Sequence, residues 1–177
     1  MAVEKTVSSR SVFRGRAINV RVDTVDAGGR ETTREIVEHA DCVAVIAVDE
    51  EDNILLVRQF RKPVEKELLE IPAGGIDEGE DAEAAVIREM QEETGFRPQR
   101  LERLGGFYSA PGYGTEYLYL YLAADLVPSQ LYAEDTDGIE VVRAAPRDIP
   151  KMIASGEIED SKSIAGLMVY LESLRGS

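Results

Sequence analysis

The sequence predicts a mixed sheet flanked by helices, an α/β or α+β sandwich, because short β-branched runs fill its first part and helical stretches are interspersed later. Residues 12 to 24, "VFRGRAINVRVDT", alternate imperfectly, and "DAGGR" at 26 to 30 is a turn signal leading into "ETTREIVEH". A pair of N-terminal strands is expected from this pattern. "CVAVIAV" and "ILLVRQF", joined by the polar turn "DEEDN", read as a hairpin with a buried first strand. "LLEIP" is a further short run before Gly74 and Gly75, and "LERLGGFYSAPGYG" reads as a strand and loop. In "TEYLYLYLAADL", Tyr117, Tyr119 and Tyr121 alternate with leucines, which suits a strand whose tyrosines pack. "GIEVVRA" supplies another strand. Two helices close the chain: "DIPKMIASG", with Pro150 near its start and Gly156 past its end, and "SKSIAGLMVYLESL", with a serine cap.

Composition narrows the function. The chain of 177 residues suits one domain, and no run approaches the roughly 18 apolar residues of a membrane span. "MAVEKTVSSRSVFRGR" lacks an apolar signal-peptide core, and a single cysteine, Cys42, excludes an intrachain disulfide. A cytoplasmic protein is the expectation. Cys42 reads as a core residue and the only histidine, His39, as one that caps or flanks a strand. The formal charge of −14 argues against a nucleic-acid partner, since phosphate backbones are bound by basic surface. A small phosphorylated ligand would need local arginines and divalent cations.

The acidic stretch "GGIDEGEDAEAAVIREMQEETGF" carries eight carboxylates from Asp77 to Glu93 against one basic residue, Arg88. A helix is expected from a cap near Asp81 to a stop at Gly95. At about 100° per residue, Ala82, Ala85 and Val86 form an apolar stripe that continues into Glu89 and Glu93. Glu92 lies beside them, whereas Gln91 points to the opposite, solvated side. Carboxylates converging at the edge of a packed face must take up protons or hold cations, and oxygen-only donors select hard ions such as Mg²⁺ or Mn²⁺. A solvated or salt-bridged acidic face is the other reading of the same residues.

The spacing resembles the Nudix box, G-x5-E-x7-R-E-U-x-E-E-x-G-U with U a bulky apolar residue. Gly74, Glu80, Arg88, Glu89, Met90, Glu92, Glu93, Gly95 and Phe96 fill its specified positions without a departure. The flanks "TREIVEH", "LLVRQFR", "LLEIPAG" and "SAPGYGTE" resemble the ADP-ribose pyrophosphatase branch of the Nudix hydrolases, from about Val12 to about Ile149. That resemblance implies an α/β/α sandwich with a mixed sheet, with residues 41–177 as the hydrolase domain. Residues 1–40 would be a strand segment of the same domain that builds a homodimer and helps to form the partner's site.

The resemblance also implies roles. Glu89, Glu92 and Glu93 would bind metal, Mg²⁺ with Mn²⁺ as a substitute, together with the backbone carbonyl of Ala73. Glu80 and Arg88 would form a charge pair fixing the loop against the helix, and Gly74 would let the backbone turn and approach the ligand. Arg61 would meet a substrate phosphate or ribose, Arg34 and Glu35 would lie near the adenine, and Glu116 would be a further site position. The general base would be an acid of "AEDTDG", with Asp135 ahead of Glu134 and Asp137. Aspartates stand at two of these positions where the branch suggests glutamates. The implied substrate is a nucleoside diphosphate linked to another group, ADP-ribose foremost. A nucleotide sugar or dinucleotide is the alternative, as is a Nudix-fold nucleotide sensor that does not hydrolyse.

Overall fold

The computed structural model describes residues 3–133, 136 and 138–175. They fall into two compact units, residues 1–41 with 108–117 and residues 42–107 with 118–177.

In the first unit β1 (Lys5–Arg14), β2 (Asn19–Asp26) and β3 (Glu31–Glu38) form an antiparallel sheet in that order. Residues 12 to 24 are therefore two strands rather than one, divided by a turn in which the Gly15 amide donates to Ile18 O at 2.9 Å. The strand before that turn gives no period-two signal because every residue of β1 is exposed, so neither of its faces selects apolar side chains. The second turn forms where "DAGGR" places it, with the Gly29 amide donating to Asp26 Oδ1 at 2.6 Å. The outer edge of β3 is covered by residues 113–115: the Val37 amide donates to Tyr113 O and Val37 O accepts from the Thr115 amide.

The second unit holds β4 (Cys42–Val48), β5 (Ile54–Arg61), β6 (Lys66–Glu70), β7 (Ala73–Gly75), β8 (Phe96–Tyr108), β9 (Tyr117–Pro128) and β10 (Glu140–Ala144). Its sheet runs β10-β5-β4-β9-β8, with β6 paired to β5 and β7 to β4. It is mixed: β4 is parallel to β9 and antiparallel to β5 and β7. The β4–β5 hairpin holds at Ala47 against Leu55 and Val48 against Ile54. β4 also takes β7 and β9 as neighbours, and every residue from Cys42 to Ala47 is buried.

Alternation along β4 then assigns two cores. Cys42, Ala44 and Ile46, with Ile54 and Leu56, pack with Ile149 and Ile158, and with Leu167 of α3 (Ser161–Arg175). Ile149 opens the short helix α2 (Ile149–Ala154), where Pro150 occupies the first turn. Val43, Val45, Ala47 and Leu55 pack on Ala85, Val86 and Met90 of α1 (Ala82–Thr94), together with Tyr121. Helices thus cover both faces, and each fully buried aliphatic side chain contributes about 1.5–3 kcal/mol. The amide of Ser163 in α3 is capped by the Asp160 carboxylate, Oδ2 accepting at 2.9 Å, and not by the expected serine, because Ser161 already lies inside the first turn. No helix among the described residues is long and apolar enough to cross a membrane.

Candidate active site

α1 begins and ends as its sequence dictates. Asp81 Oδ1 accepts from the Ala84 amide at 2.8 Å, and Gly95 ends the helix at φ 76°, a left-handed conformation that favours glycine. Between these caps Ala85, Val86 and Met90 are fully buried, while Glu89 is 8% and Glu93 9% exposed. The apolar stripe therefore runs into carboxylates, as the periodicity indicated.

β7 faces the helix at that point. The Ala73 amide donates to Glu93 Oε2 at 3.0 Å. A Cβ on Gly74 would stand 2.0 Å from the carboxyl carbon of Glu89, so only glycine leaves room for that carboxylate. Arg88 joins the parts. Its guanidinium donates to Glu80 at 3.0 and 2.9 Å, to Glu89 Oε1 at 2.5 Å, to Glu92 Oε2 at 3.2 Å and to Gly75 O at 2.7 Å. The Glu80 hydrogen bonds are the largest cause that raises the Arg88 pKa, and they hold Glu80 below its ordinary value. Glu80 also accepts from the Asp77 amide at 3.1 Å, which closes the loop ahead of α1.

Glu93 has a different environment. Burial pushes its pKa up to about 8, and the charge of Glu89 adds to that, against the Ala73 amide and the cations Arg61 and Lys162. An acid that holds its proton near neutrality beside a second carboxylate is a group prepared to exchange that proton for a cation. The donors are oxygens on one helix face, with the Glu89 carboxylate seated over Gly74. These residues fit a hard divalent ion, and Glu89, Glu92 and Glu93 would hold it.

A second charged cluster lies beside Glu93 and was not legible in the sequence. Arg61 donates to Glu70 from Nε at 2.8 Å and from Nη2 at 2.7 Å. Glu70, 1% exposed, also accepts from Lys162 Nζ. Burial raises the Glu70 pKa, but Arg61 and Lys162 outweigh it and hold the carboxyl below its ordinary value of 4.5. That depressed value contributes stability above pH 4.5 which is lost as pH falls through the folded pKa. Glu70→Gln is therefore expected to lower stability at pH 7 by about 3 kcal/mol, since it leaves two cations short of a partner. Urea denaturation at pH 7 and at progressively lower pH checks it: the deficit should shrink as the wild type loses its own advantage.

Gln91 is a correction. Expected in solvent, it is 8% exposed and donates to Ser129 Oγ at 2.7 Å. Its carbonyl accepts from the Leu131 amide at 3.2 Å and from Gln130 Nε2 at 3.1 Å. The chain leaving β9 covers that side of α1, which helical periodicity alone does not reveal. A cavity of about 330 Å³ opens there, lined by Glu92, Glu93, Gln130, Leu131, Tyr132 and Ile139 among others. A larger cavity of about 480 Å³, lined by residues such as Asp49, Gln99, Arg100 and Asp125, contains none of the glutamates of α1.

The structure thus brings together Ala73, Gly74, Glu80, Arg88, Glu89, Glu92 and Glu93, with the charge of Arg61 acting on Glu93. Arg34, Glu35 and Glu116 belong to the other unit. There Arg34 pairs with Glu4 at 2.5 Å, Glu35 is exposed opposite Val22, and Glu116 lies 3.6 Å from His39 Nδ1. Glu134, Asp135 and Asp137 lie outside the described residues.

Residues 38–165 match the model of the NUDIX domain. The chain therefore belongs to the Nudix family, as the pattern from Gly74 to Phe96 implied, and is a Nudix hydrolase. It is 36% identical over 172 residues to the ADP-ribose pyrophosphatase of Bacillus subtilis (strain 168), covering 96% of this chain and 92% of that protein. It is equally 36% identical over 172 residues to the methanol dehydrogenase activator of Bacillus methanolicus, with the same coverage of 96% and 92%. A crystal structure of an ADP compounds hydrolase shares the fold at a TM-score of 0.90 and 22% identity, over 99% of this chain and 96% of that one.

Proposed function

We propose that this Nudix hydrolase cleaves the diphosphate bond of ADP-ribose, taking up water and yielding AMP and ribose 5-phosphate. The observation that carries the reading is the complete set of Glu89, Glu92 and Glu93 on the inward face of α1, tied to Ala73 and Arg88. The resemblance to the B. subtilis enzyme favours ADP-ribose among nucleoside diphosphate derivatives. The chemistry supplied by a divalent cation bound to these glutamates, Mg²⁺ in this proposal, is neutralisation of diphosphate charge, polarisation of phosphorus and activation of water. Arg88 orients two of the glutamates, Gly74 admits Glu89, and Arg61 offers a cation to a phosphate oxygen. An acid of the 134–137 loop, Asp135 first, accepts the proton of the attacking water.

A Mg²⁺-supported hydrolysis panel over ADP-ribose, a nucleotide sugar and a dinucleotide, with products identified by mass, tests the reading. ADP-ribose should show the highest kcat/KM. A preference for the dinucleotide or the sugar would move the substrate, and absence of turnover on all three would remove the hydrolase reading.

Residues 1–40 are proposed to form the dimer contact. β1 is an edge strand whose Val7, Val12 and Phe13 are 57%, 48% and 53% exposed, and its outer edge has no strand partner among the described residues. Such an edge is a template for pairing with a second chain. Deleting residues 1–38 should convert a dimer to a monomer and raise KM together, read by light scattering and kinetics. A truncated chain that is folded, monomeric and fully active would remove the shared-site idea.

A further inference from the structure

One cluster of buried charge has no assigned part in the reaction beyond Arg61: Glu70, Asp160 and Lys162. Lys162, on the first turn of α3, has a side chain only 15% exposed and donates to Glu70 and, at 2.9 Å, to Asp160 Oδ2. Asp160 in turn accepts from Ser163 Oγ at 2.6 Å, and Ser163 Oγ accepts from the Ile71 amide at 2.9 Å. Two cations and two carboxylates thus fasten the start of α3 to the strand end that leads through Pro72 to Ala73. A buried network of four charges is a weak device for stability alone, because desolvation offsets much of the Coulombic gain and apolar packing would serve as well.

What such a network does fix is direction. The bonds from Arg61 to Glu70 engage two of the five donors of a guanidinium, and the Arg61 side chain is 39% exposed. The remaining donors have no protein acceptor among the described residues, and the charge acts on Glu93. A guanidinium held along one edge by a buried carboxylate presents its other edge in a fixed orientation, the geometry that planar recognition of a phosphate requires.

We propose that Lys162 is a positioning residue: acting through Glu70, it holds the Arg61 guanidinium in the orientation that receives a phosphate oxygen of the substrate diphosphate beside Glu93. The inference rests on the diphosphate-hydrolase reading above. Without Lys162, Glu70 has one partner instead of two and can turn, and Arg61 turns with it. Phosphate contact is then weakened alike in the ground state and the transition state, which raises KM and leaves kcat nearly unchanged.

The test uses the full chain with saturating Mg²⁺ and ADP-ribose, and compares Lys162→Met and Lys162→Arg in wild-type and Arg61→Ala backgrounds. Lys162→Met is expected to raise KM about tenfold with kcat within about twofold, and Lys162→Arg to restore most of the loss. In the Arg61→Ala background Lys162→Met should add nothing, since the lysine acts through the arginine. An unchanged KM, or an equal rise of KM in both backgrounds, overturns the proposal. If Lys162→Met does not fold, Lys162→Gln carries the same comparison. A wild type that hydrolyses ADP-ribose while the variants fail these expectations overturns this inference alone; a wild type that hydrolyses no nucleoside diphosphate derivative overturns the functional reading and this inference with it.

Discussion

Replacing Glu93 with glutamine should lower turnover by about 10³-fold or more while making the cation-free protein more stable at neutral and alkaline pH. Glutamine keeps the shape and can keep the oxygen that accepts from the Ala73 amide, but it cannot carry the charge a cation needs. In the cation-free protein the Glu93 pKa stands at about 8 against an ordinary 4.5. A raised value contributes stability that is fully present below pH 4.5 and is lost as pH rises through 8. Glutamine does not titrate, so that loss disappears in the variant. A divalent cation reverses the pattern for the wild type by binding the folded state, and does so far less for the variant. Thermal midpoints at pH 6 and pH 8, with and without Mg²⁺, measured beside kcat, check both halves. Near wild-type turnover across Mg²⁺ concentrations would show that Glu93 is not a metal ligand.

Gly74→Ala should be the other large effect, about 10²-fold in kcat with stability changed by no more than about 1 kcal/mol. The added Cβ would meet the carboxylate of Glu89 at 2.0 Å, and what it meets is the far end of a flexible side chain. Glu89 can swing aside without disturbing β7, so the fold survives. Its carboxylate then leaves both Arg88 and the place where it would bind metal. Gly75→Ala is the control, since a Cβ there meets nothing within 4 Å, and it should lose far less activity. A Gly74→Ala enzyme with wild-type kcat would mean that the position of Glu89 is immaterial to the reaction.

How much of this was legible in the sequence depended on whether the cause was local. The caps at Asp81 and Gly95, the inward turn of Glu89 and Glu93, and the Glu80–Arg88 pair all arise within one short stretch; cap residues and periodicity disclosed the first two, and the resemblance implied the pair. The burial of Gln91 was hidden because Ser129, 38 positions later, covers it. Glu70 sat unremarked in "LLEIP" because its partner Lys162 is 92 positions away and nothing local marks either as buried. β1 escaped because its exposed residues leave no alternation to read. The acids of the 134–137 loop remain where the sequence left them, as candidates named by resemblance.

The parallel pairing of β4 with β9 has a kinetic consequence. Cys42 meets Leu118 and Ala47 meets Ala123, so the central strand finds this neighbour only after more than seventy residues of chain have been closed into a loop. Loop-closure entropy makes such contacts late and slow to form. The segment from Ala73 to Glu93 is short and local, yet its carboxylates converge only once the sheet has given α1 a floor to pack on. Cation occupancy then belongs to the native side of the folding barrier. Mg²⁺ should lengthen the lifetime of the folded enzyme by slowing its unfolding, while the rate at which the chain finds its fold stays almost the same.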